Sequence, residues 1–334
     1  MGSVPSVTAQ DALAIARLWH AKATQPVHIR DGENSTWGIE LGGRRAILRL
    51  TSEAHRTREQ LEAELAFVDH VAAGGLTVAC GLESLAGQRI VDASRFVANR
   101  ERTYASAFPR FDGRHFEYYS TDIDQPLFHL WGRTMGRLHA LSQGFKAGAE
   151  FRRPDWPEDE VAGCYASEVA PDEEALPLRN QLIAWLGAQA SEPAHYGMVH
   201  GDFERTNFLL QDGSIQVFDF DDCCHHWFCW DIACALWVFR NASREERACF
   251  LGWFLEGYCA VREPDTARLA RFSDLIRLRT SRSSCTASAR RSRQAPRNGS
   301  GSSARGAGSG RPGIGDSSCP TSELSRAAKR RRLK

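Results

Sequence analysis

No run of about 18 consecutive apolar residues occurs in this 334-residue chain, so no membrane-spanning helix is expected and no membrane partner is assigned. The opening text, MGSVPSVTAQDALAIARLWHAK, lacks the basic start and apolar stretch of an export signal. Met1-Gly2 followed by Ser6 fits a loose acylation pattern that is read as coincidence. No internal repeat is evident. The ten cysteines are too thinly spread for a small secreted scaffold, which points to reduced thiols and a cytoplasmic location.

What is present is the composition of a folded protein: 42% hydrophobic, 25% charged and 10% aromatic. The length suits one large domain or two lobes. The net charge of +1 conceals a division. From Thr280 onward eleven Arg and two Lys face Asp316 and Glu323, a net +11, which leaves −10 on residues 1–279. An acidic body carries a basic tail.

Helical spacing predicts a helix over 7–22, with Thr8 as N-cap and Asp11 at N3. Strands follow around 27–29, 35–41 and 44–50, the last two joined by Gly42-Gly43. HRTREQLEAELAFVDHVAAGG reads as a long helix, and LTVACGLESLAGQRIV and RFVANRERTYASAFPRF as further strands. Residues 1–110 thus form an N-terminal lobe of antiparallel sheet plus helix. Residues 111–279 form a mainly helical lobe, with helices over 127–141, near 178–190, and in WDIACALWVFR and REERACFLGWFLEGYCAV. The fold class is α+β. Residues 280–334 are Ser-, Arg- and Gly-rich with few large apolar residues, which predicts disorder. The terminal AAKRRRLK has two readings, a nuclear-import or nucleic-acid patch, or part of a C-terminus translated out of frame after ARFSDLIRLR. The second is favoured, so nucleic acid is not an expected partner of the body.

Residues 199–222 read VHGDFERTNFLLQDGSIQVFDFDD. Two short apolar runs are crowded by acids, and a buried carboxylate is costly unless it is paired. Two strands joined at Gln211-Asp212-Gly213-Ser214 would bring Asn207 and Asp219 to the same end of a hairpin, with Asp202 on the loop before it. A carboxylate and an amide oxygen suit Mg²⁺, which binds few protein groups and keeps waters or phosphates as its other ligands. Asp202 would lie beside the metal, free to orient a hydroxyl.

That spacing resembles the kinase catalytic loop H-x-D-x-x-x-x-N followed by a metal-binding Asp. With His200-Gly201-Asp202 in place of His-Arg-Asp, and Asp231-Ile232-Ala233 at a helix start, the chain is similar to the aminoglycoside phosphotransferase and choline kinase superfamily over residues 25–279. The resemblance implies a bilobal protein-kinase-like fold and ATP- and Mg²⁺-dependent phosphorylation of a small-molecule hydroxyl of the aminoglycoside, choline or homoserine type. It gives Asp202 the acceptor hydroxyl, Asn207 and Asp219 the Mg²⁺, and His200 the support of the loop. In the N-lobe it implies a cover loop containing Gly32, Asn34, Ser35 and Thr36, a strand cation at Arg49 and its helix partner at Glu64, with ATP near residues 105–112. Kinases normally place Lys where Arg49 stands, and the two are not interchangeable.

Two other functions stay open at this point: a protein Ser/Thr kinase of the stress-response type, and an inactive pseudokinase serving as a nucleotide-binding interaction module. A nucleic-acid binder acting through the tail is a third and weaker one. The acidic body suits a cationic acceptor. Asp221 and Asp222 read equally as metal or acceptor contacts and as caps or surface residues. Glu204 and Arg205 either touch the acceptor or pair in solvent. Asp231 is expected as a helix N-cap that also braces the catalytic loop. Cys223-Cys224-His225-His226 with Cys229 and Cys234 suggests zinc, but adjacent ligands wrap one tetrahedral ion poorly, so buried thiols and packing histidines are favoured. His139 is expected as a hydrogen-bonded core histidine.

Overall fold

Three helices begin with reciprocal capping boxes written into the sequence: Thr8 with Asp11 at α1 (Ala9–Ala16), Thr57 with Gln60 at α2 (Arg58–Ala73), and Ser243 with Glu246 at α6 (Arg244–Cys259). Each box satisfies backbone N–H groups that the first turn leaves without partners. The computed structural model describes residues 7–98, 101–117, 123–146, 148, 153–157 and 175–280. The expectations for the tail after Thr280 lie outside these residues.

The N-terminal sheet has five antiparallel strands in the order β1 (Thr24–Asp31), β2 (Asn34–Leu41), β3 (Arg44–Ser52), β5 (Thr103–Pro109) and β4 (Ile90–Asp92). Side chains alternate across a strand, so β3 divides its residues between two faces. Ala46, Leu48 and Leu50 pack with Ile15 and Trp19 from α1 and the following turn. Arg49 is thereby turned to the opposite face, toward α2, where Leu61 and Leu65 pack with Ile90 and Tyr104. The alternation fixes where the cation goes.

Two of the expected strands are shorter than their sequences suggest. Between 76 and 92 only β4 pairs with the sheet, and Val78 makes an isolated parallel bridge to Val217 of the other lobe. Glycines at 81 and 87 interrupt the apolar text there, and Gly87 has a φ of +72°. Similarly β5 begins only at Thr103. The helix expected over 7–22 ends at Ala16.

The second lobe is built on α3 (Gln125–Ser142), α4 (Ala175–Gly187), α5 (Phe228–Leu236), α6, the short α7 (Thr266–Leu269) and a helical stretch over 272–280. A ribbon of β7 (Tyr196–Val199) with β10 (Cys224–Trp227) and a three-stranded sheet of β6 (Arg114–His115), β8 (Phe208–Gln211) and β9 (Ser214–Val217) complete it. Helices α3 and α6 press backbone to backbone. A Cβ on Gly132 would come within 1.9 Å of the Phe254 carbonyl, and one on Gly257 equally close to that of His129. The fully buried Trp131 stacks in this core and donates its indole N–H to the Phe203 carbonyl at 3.0 Å. It thereby fastens α3 to the loop that carries the site, and its truncation to Ala is expected to cost about 3–5 kcal/mol. Among the described residues no helix is long and apolar enough to cross a membrane.

Candidate functional site

The loop after β7 can turn only because of Gly201. Its φ is +79°, and a Cβ there would lie 2.3 Å from the Asp222 carbonyl, so no other residue fits without moving the backbone. Asp231 holds the same loop from below. Its carboxylate accepts the backbone N–H of His200 at 3.1 Å and of Gly201 at 2.9 Å. This corrects one expectation: Asp231 braces the loop but is not the N-cap of α5. That helix starts at Phe228 with Trp227 as its cap, which places Asp231 inside the first turn.

A buried carboxylate needs counter-groups, and Asp231 has them. His139 Nε2 lies 3.0 Å from its Oδ2, and His139 Nδ1 lies 2.9 Å from the Tyr258 hydroxyl. Burial pushes the Asp231 carboxyl up, but the hydrogen bond and charge of His139, with His200 and the Gly201 N–H, hold it below the ordinary carboxylate range. Burial lowers His139. His139 is the hydrogen-bonded core histidine that its apolar helix implied.

His200 is buried, with Nδ1 accepting the Asp202 N–H at 3.3 Å and Nε2 3.1 Å from the Phe218 carbonyl. These partners fit the tautomer carrying its proton on Nε2. Asp202 has a partner on each oxygen. Asn207 Nδ2 donates to Oδ2 at 3.0 Å and to the Asp202 carbonyl at 2.8 Å, and Arg279 Nη2 donates to Oδ1 at 2.5 Å.

The hairpin of β8 and β9 turns through Asp212 and Gly213, at φ of 50° and 71°, the left-handed pair that matches strand twist. Phe208 faces Val217, and Phe218 N–H donates to the Asn207 carbonyl at 3.1 Å, which brings Asn207 and Asp219 to one end. Asp219 has a φ of +66°, so the chain swings away immediately after it. Burial raises its carboxyl above the ordinary range, against the pull of Arg30. Arg30 Nη2 lies 2.5 Å away, but its side chain is 61% exposed. Asn207 spends its amide nitrogen on Asp202, which leaves its oxygen as a ligand atom at the same end of the hairpin as the partly exposed Asp219 carboxylate. That donor set fits a hard divalent cation.

On the N-lobe side Arg49 donates twice to Glu64, at 2.8 Å to each oxygen. Burial works against the Arg49 charge, but Glu64 and Asp221 raise its pKa. Its guanidinium lies over the Phe108 ring, 4.9 Å from the centroid. A cavity of about 460 Å³ between the lobes is bounded by Thr36, Arg49, Phe108, Asn207 and Asp219 among others. A second, of about 200 Å³, lies at the turn 31–34 and is lined by Gly32, Asn34, Asp202 and Asp219 among others. Ser35 is not brought to either: it is buried, and its hydroxyl accepts the Trp37 indole N–H at 3.1 Å. Strand alternation sends Asn34 and Thr36 to the cleft and Ser35 away from it.

The remaining candidates separate clearly. Glu204 accepts the Thr206 hydroxyl at 2.8 Å, and burial with the Asp202 charge raises its carboxyl. Arg205 is buried, with its guanidinium 5.3 Å from the Phe239 ring centroid, so the pair does not sit in solvent. Cys223 and Cys229 are free thiols pushed up by burial to about 12. His226 stacks on Trp230. Reduced thiols are found at Cys80, Cys223, Cys224, Cys229, Cys234 and Cys259, whereas Cys249 is disulfide-bonded. Among the described residues, the group of three acid, His or Cys side chains with donor atoms within 4.8 Å of one another is Glu33, His55 and Asp221, not the cysteine-rich stretch. Arg30, His55, Arg56 and Arg279 meet the site from distant segments and carry no sequence signal of doing so.

Comparison with known proteins bears on this geometry. The model of the phosphotransferase enzyme family matches residues 26–272. Amicoumacin kinase of Bacillus subtilis (strain 168) is 27% identical over 276 residues, covering 80% of this chain and 81% of the relative. A solved amicoumacin kinase, in complex with AMP-PNP, Ca²⁺ and Ami, superposes with a TM-score of 0.74 at 25% identity, covering 82% of this chain and 84% of that one. A microcompartment-associated aminopropanol kinase shares the fold with a TM-score of 0.63 at 21% identity, covering 85% and 94%.

Proposed function

Because the chain belongs to the phosphotransferase enzyme family, as a kinase of small molecules with an alcohol group as acceptor, we propose that it transfers the γ-phosphoryl group of ATP to a hydroxyl of an amine-bearing small molecule. Asn207 and Asp219 would hold Mg²⁺. Amicoumacin, the acceptor in the name of two relatives, is the first candidate.

The observation that carries this reading is the placement of Asn207. Its amide nitrogen holds Asp202 at 3.0 Å, and the hairpin delivers Asp219 to the same end. One side chain thus links the acceptor-side acid to the metal-side acid. Asp202 orients the acceptor hydroxyl and receives its proton as the oxygen attacks phosphorus. His200 and Asp231 keep the loop in place, so little reorganisation is needed at the moment of transfer. Arg49, fixed by Glu64, faces the cleft where phosphates would lie. When bound, Mg²⁺ supplies charge neutralisation on the transferred group. The acidic body and the partly buried Glu204 near Asp202 support a cationic acceptor.

The test is an ADP-release screen with Mg²⁺ and ATP across amicoumacin, aminopropanol, aminoglycosides, choline and homoserine, repeated with EDTA. Turnover on one of these amines, abolished by EDTA, supports the proposal. Phosphate appearing only on added protein, or no transfer to any acceptor despite nucleotide binding, would contradict it.

A further inference from the structure

Asp221 is the residue on which the N-lobe closes. Its side chain is almost wholly buried, with the residue 6% exposed, and three separate N-lobe segments converge on it. Asn34 of the 31–34 turn donates its amide to Oδ2 at 3.0 Å. His55, after β3, lies 2.7 Å from the same oxygen. Arg49 of β3 and Arg56 approach Oδ1 at 4.0 and 3.8 Å. Its backbone carbonyl accepts from Arg56 at 3.0 and 3.2 Å and also from Arg153.

Asn34 has no freedom left once this contact is made. Thr51 donates to its carboxamide oxygen at 2.6 Å while its nitrogen is held by Asp221, so both ends of the amide are fixed. Asn34 also lines both cavities of the cleft, and with it the turn that roofs Asp202 and Asp219 is pinned from the far lobe. The left-handed backbone of Asp219 makes this possible. By turning the chain there, it leaves Asp219 facing Arg30 and presents Asp221, two residues on, to the other lobe.

Charge gives the contact a second consequence. Both Nη groups of Arg49 bond Glu64, and Asp221 is the second carboxylate near that cation. Arg49 and Arg56 lie among three carboxylates, those of Glu64, Asp221 and Asp222. A neutral residue at 221 takes from Arg49 one of its two neighbouring carboxylates and weakens the acceptor that Asn34 uses, a costly change in a buried setting.

We propose that Asp221 is a positioning residue that holds the 31–34 turn closed over the phosphoryl-transfer site and sets the pose of Arg49. This rests on the phosphotransferase reading of the cleft. Asp221 acts on the nucleotide side, because the partners of its carboxylate, Asn34, Arg49, His55 and Arg56, all belong to the N-lobe.

The experiment compares the parent with Asp221→Asn, Asn34→Ala and the double variant, by titration with Mg²⁺·AMP-PNP and by steady-state turnover. Each single variant is expected to weaken AMP-PNP binding about tenfold or more, the loss of a hydrogen bond to a charged group. The double variant should be no weaker than Asp221→Asn by more than about twofold, since both changes act on one shared contact. The acceptor KM stays within about twofold of the parent, a split that general loosening of the fold does not produce. Asn34→Ala, at a turn, keeps the test valid if Asp221→Asn folds poorly. Unchanged AMP-PNP binding in both single variants, additive losses in the double, or a loss confined to the acceptor KM would overturn the proposal. A parent that binds no AMP-PNP would instead sink the phosphotransferase reading beneath it.

Discussion

Arg279 Nη2 donates to Asp202 Oδ1 at 2.5 Å, from the last described helical turn, while Asn207 holds Oδ2. Both oxygens of the acid that meets the acceptor are therefore engaged before any acceptor arrives. An incoming hydroxyl has to displace or share the Arg279 contact. Replacing Arg279 with Ala frees Oδ1, and the expected result is a fall in acceptor KM and a rise in acceptor-independent ATP hydrolysis, each of about threefold to tenfold. The ATP KM should not move. Parallel measurement of the two KM values checks this, and a shift in the ATP KM alone would contradict it.

The Asp231–His139 pair predicts two acid transitions in stability. His139 is lowered by burial, so below its ordinary pKa of about 6.5 the unfolded chain takes up a proton that the folded chain does not. Stability therefore falls as pH drops from that point. Asp231 is held below the ordinary carboxylate value of about 4, so its contribution is complete above that value and is lost as pH falls through its depressed folded pKa. Melting temperature measured from pH 8 to pH 3 should show both losses. His139→Gln should flatten the upper one and reduce the lower, which His200 and the Gly201 N–H still support. Asp231→Ala should cost about 3–5 kcal/mol, because it strands two loop N–H groups and His139.

Burial raises the Asp219 carboxyl, so its charge is a cost in the unliganded protein that a bound cation relieves. Adding Mg²⁺ with ATP should then raise the melting temperature of the parent. Asp219→Asn should remove most of that rise without lowering the melting temperature of the unliganded protein. Thermal melts with and without Mg²⁺·ATP decide this, and an equal rise in both proteins would exclude Asp219 as a ligand.

Arg49 makes two parallel bonds to Glu64, and a lysine can make only one of them from a shorter side chain. Arg49→Lys should raise the ATP KM about tenfold or more, although lysine is the residue kinases usually carry. A variant with unchanged or improved ATP KM would show that the guanidinium fork is not used.

The parts of the site legible in the sequence were those set by local rules. The Asp-Gly turn and the two flanking strands place Asn207 beside Asp219 through hairpin register alone. The pairing of Arg49 with Glu64 was implied by the family resemblance, and strand alternation is what carries it in the structure. The same alternation separates Ser35 from Asn34 and Thr36, a distinction that naming the whole stretch as a cover loop passes over. Asp231 was legible as a brace but not in its position, because Phe228 begins the helix a turn earlier than the Asp suggests. Asp221, His55 and Arg279 could not be found this way. Their contacts join segments 166 and 77 residues apart, and such pairings are decided by how the lobes pack.

The most direct measurement is single-turnover phosphoryl transfer by Asp202→Ala beside the parent, on whichever acceptor the parent uses. The rate is expected to fall by about 10²–10⁴-fold, the range for loss of a positioned proton acceptor, while AMP-PNP binding stays within a few-fold. Transfer at the parent's rate would contradict the assignment of Asp202 to the acceptor hydroxyl.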